Sequence, residues 1–118
     1  MDNLIDYDNM KKAIGSDPNL IKRIVSLYLR DAPKLLADID EAVKAEDNKK
    51  LSDSAHSLKG ITGYYNTDIP QNLCLKLEQL GKENGLPEKK DDAITLLSQL
   101  QEQISILFGQ LKTYIEQI

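Results

Sequence analysis

The sequence predicts an all-α protein, an up-down antiparallel four-helix bundle with a short additional N-terminal helix, and three observations carry that prediction. Apolar residues recur at three- and four-residue spacing through almost the whole chain, the period of an amphipathic helix. Nowhere does apolar and polar alternation persist between hairpin turns, so no strand competes. The breaks between periodic stretches are short, which makes successive helices antiparallel neighbours. Composition agrees: of 118 residues, 41% are hydrophobic and 29% charged, while aromatics reach only 5% with no tryptophan, the balance of a helical globular domain. A chain of this length buries roughly two thirds of its unfolded surface, so residues 1–118 are read as one domain with one core.

Taken in order, Asp6 can cap a short helix over Tyr7 to Ile14, and Gly15 ends it. Ser16 or Asp17 caps the next, with Pro18 in its first turn and Leu20, Ile21, Ile24, Leu27 and Tyr28 at helical spacing. Pro33 interrupts, but Leu35, Leu36, Ile39, Ala42 and Val43 resume the pattern at once. One long kinked helix ending near Ala45 is therefore expected, with two helices split at Asp31 as the alternative. After the polar break Glu46-Asp47-Asn48, a third helix runs from Lys49 to Tyr65. Asn66-Thr67-Asp68-Ile69-Pro70 supplies a turn, an N-cap and a first-turn proline for a fourth, whose stripe is Leu73, Cys74, Leu77 and Leu80 and whose end is Gly85. Leu86-Pro87 breaks the chain. The last helix carries Ala93, Leu96, Leu97, Leu100, Ile104, Leu107, Leu111, Tyr114 and Ile118, with Gly109 as its one interior weak point. The second to fifth segments make the bundle, and the first is a lid on it.

Several function classes are excluded by the same reading. No apolar run approaches the 18 residues of a membrane span, and the opening Met1-Asp2-Asn3-Leu4-Ile5-Asp6 lacks the basic-then-apolar order of a signal peptide. The domain is expected in the cytoplasm, without membrane contact. The single cysteine, Cys74, forms no internal disulfide, and with one histidine it cannot complete a structural zinc site. No metal or cofactor is expected in this domain. A net charge of −4 and the lack of any long basic run argue against nucleic acid as a partner.

The informative stretch is Ala55-His56-Ser57-Leu58-Lys59-Gly60-Ile61-Thr62-Gly63. At 100° per residue, Leu51, Ala55, Leu58, Thr62 and Tyr65 share one arc, while Ser52, His56, Lys59, Gly60 and Gly63 gather on another. The only histidine of the chain should therefore face outward. Each interior glycine costs about 1 kcal/mol relative to alanine, so Gly60 and Gly63 beside His56 look like clearance for something large. Lys59 lies one turn from His56 and could neutralise an anionic group on the imidazole, which makes phosphate the fitting ligand. An unperturbed imidazole titrates near 6.5 and is a nucleophile at neutral pH without a base to activate it.

The run Ala55-His56-Ser57-Leu58-Lys59-Gly60, together with Leu77-Glu78-Gln79-Leu80-Gly81-Lys82 downstream, resembles the histidine-containing phosphotransfer (HPt) domain family. Ile14-Gly15-Ser16-Asp17-Pro18 through Tyr28 and Asp31-Ala32-Pro33 is similar to the helices that precede the histidine in HPt domains of hybrid sensor kinases. The resemblance spans nearly the whole chain. It implies a phosphocarrier without catalytic activity of its own, which takes a phosphoryl group from one receiver-domain aspartate and gives it to another.

On that resemblance His56 is the phosphorylated residue, Lys59 offsets phosphate charge, and Gly60 keeps the approach open. Glu78 matches the residue that holds the imidazole's other nitrogen, and Lys82 falls where a second basic residue often sits. The implied partners are the receiver domains of a hybrid sensor kinase and of a response regulator, with magnesium in the receiver, and the domain itself is expected to be a monomer. Ser52 and Gly63 are expected to line the docking face, with Ile14 and Leu20 as exposed apolar contacts. One departure is Asn66, where the family usually has glycine; asparagine is the next best residue for a left-handed turn, so the helix end is expected to keep its shape. A helical adaptor that binds a partner without phosphoryl chemistry is the alternative. A histidine kinase ranks last, because no Gly-rich nucleotide loop or paired catalytic acids accompany His56.

Overall fold

A computed structural model describes residues 3–118, leaving Met1 and Asp2 outside the described residues. Among these, five helices and no strand occur: α1 (Tyr7–Ile14), α2 (Pro18–Lys44), α3 (Asn48–Thr62), α4 (Ile69–Lys82) and α5 (Lys90–Gln117). The last four close a ring in which α2 packs on α3, α3 on α4, α4 on α5 and α5 on α2. Tyr28 pairs with Thr62 and Glu41 with Lys50, so α2 and α3 run antiparallel. Gly63, just past the end of α3, lies beside Gln71 near the start of α4, while Gly81 near the end of α4 lies against Asn48 and Ser52 at the start of α3, which fixes α3 and α4 the same way.

The helix boundaries follow from capping. Asp6, Asp17 and Asp47 each accept a backbone N–H of the first turn they precede, satisfying donors that a helix start leaves unpaired. Asp17, not Ser16, is thus the cap of α2. That helix continues unbroken through Pro33, which rules out the split at Asp31. It closes with Glu46 in the left-handed region (φ 55°), the Asp47 N–H returning to the Ala42 carbonyl and Glu46 N–H to Val43, a Schellman turn. The next residue, Asp47, already caps α3, so the α2–α3 reversal has no slack.

The end of α4 repeats this geometry one residue earlier than the sequence suggests. Asn84, not Gly85, takes the left-handed conformation (φ 55°), and the Gly85 N–H returns to Leu80. The Asn48 side chain then grips Leu86 from both sides, donating to its carbonyl at 3.1 Å and accepting its N–H at 2.9 Å. The two turns at that end of the bundle are therefore tied together.

Length mismatch explains the lid. α2 and α5 have 27 and 28 residues, about 40 Å each, whereas α3 and α4 have 15 and 14. The long helices overrun the short ones, and α1 covers the exposed end, burying Met10 and Ile14, with Ile5 just before it. Tyr7 packs against Tyr114 of α5 with ring centroids 5.2 Å apart.

At Gly81 two helices approach closely: a Cβ there would stand 2.6 Å from the Asn48 carbonyl oxygen and 2.8 Å from the Ser52 nitrogen, both backbone atoms that cannot swing aside. At Gly60 an added Cβ meets nothing within 4 Å. Gly81→Ala should destabilise the fold by about 1–3 kcal/mol through overpacking, whereas Gly60→Ala should leave it unchanged or stabilise it by up to about 1 kcal/mol. Urea denaturation of the two variants measures both, and equal effects would contradict the packing described.

Candidate functional site

The site grows from one buried carboxylate. Glu78 lies on α4 among Leu77, Leu80 and Gly81, with only 2% of its side chain exposed. An acid in such a place needs partners for its charge, and three converge on it. Lys59 Nζ of α3 donates to Oε1 at 2.6 Å, while His56 Nδ1 at 2.9 Å and Lys82 Nζ at 3.0 Å share Oε2. His56 and Lys59 are three apart on α3, Glu78 and Lys82 four apart on α4, so the facing stripes of two antiparallel helices meet at this point.

Burial pushes the Glu78 carboxyl upward, but the hydrogen bonds from Lys59, Lys82 and His56 outweigh it and hold the group at about 2 against an ordinary 4.5. An ionised carboxylate can only accept. His56 Nδ1 must then carry the proton, and Nε2 is left with the lone pair. The ring remains 66% exposed. The arrangement is a fixed tautomer presenting a nucleophilic nitrogen to solvent, with two ammonium groups in reach.

The structure brings His56, Lys59, Glu78 and Lys82 together and leaves Gly60 open beside them. Other expected positions are corrected. Ser52 is buried, at 9% exposure, under Gly81, because the flank of α3 that carries Ser52 and Lys59 faces α4 rather than water. Gly63 does not open onto solvent as expected: a Cβ there would meet the Gln71 side-chain amide of α4, so the space beside it is already occupied. Ile14 is 8% exposed and turned into the core under the lid, out of reach of any partner, whereas Leu20 is 39% exposed.

Asn66 is also corrected. Among the described residues only Glu46 and Asn84 are non-glycine residues with positive φ, so Asn66 does not imitate a left-handed glycine. Its buried side chain instead donates to the Leu4 carbonyl at 2.6 Å and accepts the Asp68 N–H at 2.7 Å, doing at the start of α4 what the Asp68 side chain does not. Gln71 and Asn9, which hold carbonyls at the end of α3, carried no sequence signal, since neither belongs to a local motif. Cys74 is core, its thiol pushed up to about 12 chiefly by burial, which makes it inert.

A model of the Hpt domain family matches residues 23–118. The chain belongs to the Hpt domain family. As an Hpt domain it is a phosphotransfer intermediate of two-component signalling, a class that works with receiver domains. Over 82 residues it is 29% identical to multistep phosphorelay regulator 1 of Schizosaccharomyces pombe, a match covering 66% of this chain and 28% of that protein. The chain thus spans just over a quarter of the length of that relative. Its fold is that of histidine-containing phosphotransfer protein B (HptB) from Pseudomonas aeruginosa PAO1, with a TM-score of 0.86, 18% identity and coverage of 100% of this chain and 99% of the other. Among the described residues no helix is long and apolar enough to cross a membrane, and no group of three or more His, Cys, Asp and Glu side chains could hold a metal ion.

The low value at Glu78 gives this Hpt domain a defined acid response. A carboxylate whose folded pKa is depressed contributes stability above its unfolded pKa and loses it as pH falls through the folded one. From about 4.5 down to about 2 the loss amounts to about 3 kcal/mol. In urea titrations at pH 5 and pH 2, the stability advantage of wild type over Glu78→Gln should shrink by that amount; a constant difference would mean that Glu78 is not ionised in the fold.

Proposed function

We propose that this domain is a phosphorelay intermediate in which His56 accepts a phosphoryl group from the aspartate of a hybrid sensor kinase's receiver domain and passes it to the aspartate of a response regulator's receiver domain. The observation that carries the reading is the Nδ1–Glu78 bond at 2.9 Å on a ring that is otherwise exposed. It supports Nε2 as the nucleophile, and the open face at Gly60 supports approach by a protein rather than a small molecule.

The lone pair of Nε2 attacks the phosphorus of the phospho-aspartate, the P–O bond to the aspartate breaks, and its electron pair stays on the released carboxylate. In the onward step the acceptor carboxylate attacks, the P–N bond breaks, and its pair returns to Nε2. The proton on Nδ1 stays where Glu78 holds it in both directions, so the imidazole always leaves neutral and no general base is required. Lys59 and Lys82 neutralise Glu78 in the resting state, and both lie near enough to turn toward a phosphate on the ring, where charge-assisted bonds offset its added negative charge.

The rest of the chemistry belongs to the partner. Magnesium and the acidic pocket of the receiver are what stabilise the transferring group, and the domain acts as a carrier without an enzymatic activity or cofactor of its own. It works as a monomer in the cytoplasm, docking through the His56 face of α3 and the apolar strip of α2 formed by half-buried Ile24 and exposed Leu27. Leu20 continues that strip, but at the end away from His56.

The test is incubation of the purified chain with a receiver domain carrying radiolabelled phosphate and with magnesium, beside a His56→Gln variant. Acid-labile, base-stable label on the wild type alone is expected. Lys59→Ala should be labelled more slowly, by roughly tenfold or more, the scale of one charge-assisted hydrogen bond. Absence of label across a panel of receivers, on a chain that remains helical, would abandon phosphotransfer in favour of a binding adaptor.

A further inference from the structure

A helix end leaves carbonyls without partners, and beyond α3 three consecutive ones are satisfied by the N-terminal segment. Asn9 Nδ2 donates to the Gly63 carbonyl at 2.7 Å and to that of Tyr64 at 3.3 Å, and the Asp6 N–H donates to that of Tyr65 at 2.8 Å. The link is reciprocal, because the Asn66 side chain donates back to the Leu4 carbonyl at 2.6 Å. The Leu4 N–H is in turn held by Gln110 Oε1 of α5 at 2.6 Å. Residues 63–66 are thus held from outside their own helix, by a segment that precedes the span matched by the family.

What this turn presents is Tyr64. Its side chain is 41% exposed, with its ring packed edge-on against buried Tyr65 at 6.2 Å. It stands eight residues beyond His56, just past the end of α3, and borders a cleft of about 260 Å³ with Ile24, Leu27 and Asp31 of α2 and Ile61 of α3. Ile61 on the rim of that cleft directly follows exposed Gly60, which lies one turn from His56 on α3. No helical geometry of α3 itself fixes the Tyr64 ring, since α3 ends at Thr62.

We propose that Leu4–Asn9 is a clasp that sets the docking face, with Asn9 the positioning residue that acts through Tyr64 on the binding of receiver domains. The proposal rests on the phosphorelay reading, and its partner is the receiver domain that reading supplies. An apolar side chain of the receiver enters the cleft beside Tyr64 while its phosphorylated aspartate meets His56. Without the Asn9 amide two backbone carbonyls lose their donor, the turn relaxes, and the aromatic edge of the cleft is no longer held in place. The chemistry at Nε2 is untouched, because no bond of the clasp reaches Glu78, Lys59 or Lys82.

The experiment is a steady-state and single-turnover comparison of the whole chain as wild type, Asn9→Ala, Asn9→Asp, Tyr64→Ala and Asn9→Ala/Tyr64→Ala, with a phosphorylated receiver as donor. Asn9→Ala should raise KM by roughly five- to tenfold, the scale of one or two hydrogen bonds, with the maximal transfer rate held within about a factor of two. Asn9→Asp, which keeps the size but sets an acceptor against two carbonyls, should do the same or more. The double variant should be no worse than Tyr64→Ala, as residues acting through one another are non-additive, and the His56 Nδ1 proton resonance should not move. Transfer to wild type with an unchanged KM in both Asn9 variants, or additive effects in the double variant, overturns the clasp alone. No label on wild type overturns the phosphorelay reading and the clasp with it.

Discussion

Everything at the functional end of this Hpt domain depends on keeping one carboxylate ionised in a buried position. Glu78 is 2% exposed and would on burial alone prefer to be neutral. Two lysines and an imidazole reverse that preference. If the group were protonated it could donate, the tautomer of His56 would no longer be fixed, and the exposed nitrogen would not reliably hold a lone pair. Reactivity at the surface thus derives from electrostatics in the interior. The balance also explains why two lysines serve the site before any phosphate arrives: with one removed, a buried negative charge would be left with less compensation, at a cost of several kcal/mol in the general case.

The same carboxylate ties chemistry to packing. Its position requires α3 and α4 to approach closely, and that approach rests on Gly81, with Gly63 just past the end of α3 leaving room for a side chain of α4. Gly81 admits the backbone of Asn48 and Ser52, and Gly63 admits the Gln71 amide. Gly60 serves a different purpose, since nothing occupies the space before it. Three glycines close in sequence or in space therefore divide into one that brings helices together, one that makes room for the Gln71 amide and one that leaves the face free. The Asn48 and Asn66 side chains do comparable work at opposite ends of α3, each bridging to a segment distant in sequence.

Much of the fold was legible because helix periodicity and capping are local. The first helix and the span of the second through Pro33 are set by apolar spacing together with Asp caps, and the long last helix by apolar spacing alone, without a side-chain cap at its start. The end of α3 was read three residues too long, at Tyr65 rather than Thr62, because the turn that stops it is held by Asn9, Asp6 and Leu4, which no window around residue 62 contains. Asn66 was misread for the same reason. Its residue type suggested a left-handed turn, whereas a distant carbonyl and a buried environment made it a bridge.

By itself the sequence determined the all-α bundle, the order of its helices, the outward exposure of His56 and its neighbour Lys59 one turn away, because each of these follows from spacing at 3.6 residues per turn and from residue chemistry; Glu78 and Lys82 joined that group only through the resemblance to the HPt family. Only the tertiary structure decided which flank of α3 meets α4, and hence that Ser52 and Gly63 are packed away while Gly60 stays open. It alone turned Ile14 inward beneath the lid and left Leu20 in solvent. A helical wheel gives directions around one axis but not which of those directions a neighbouring helix occupies, and burial, clearance and the ionisation of Glu78 are all set by the neighbour.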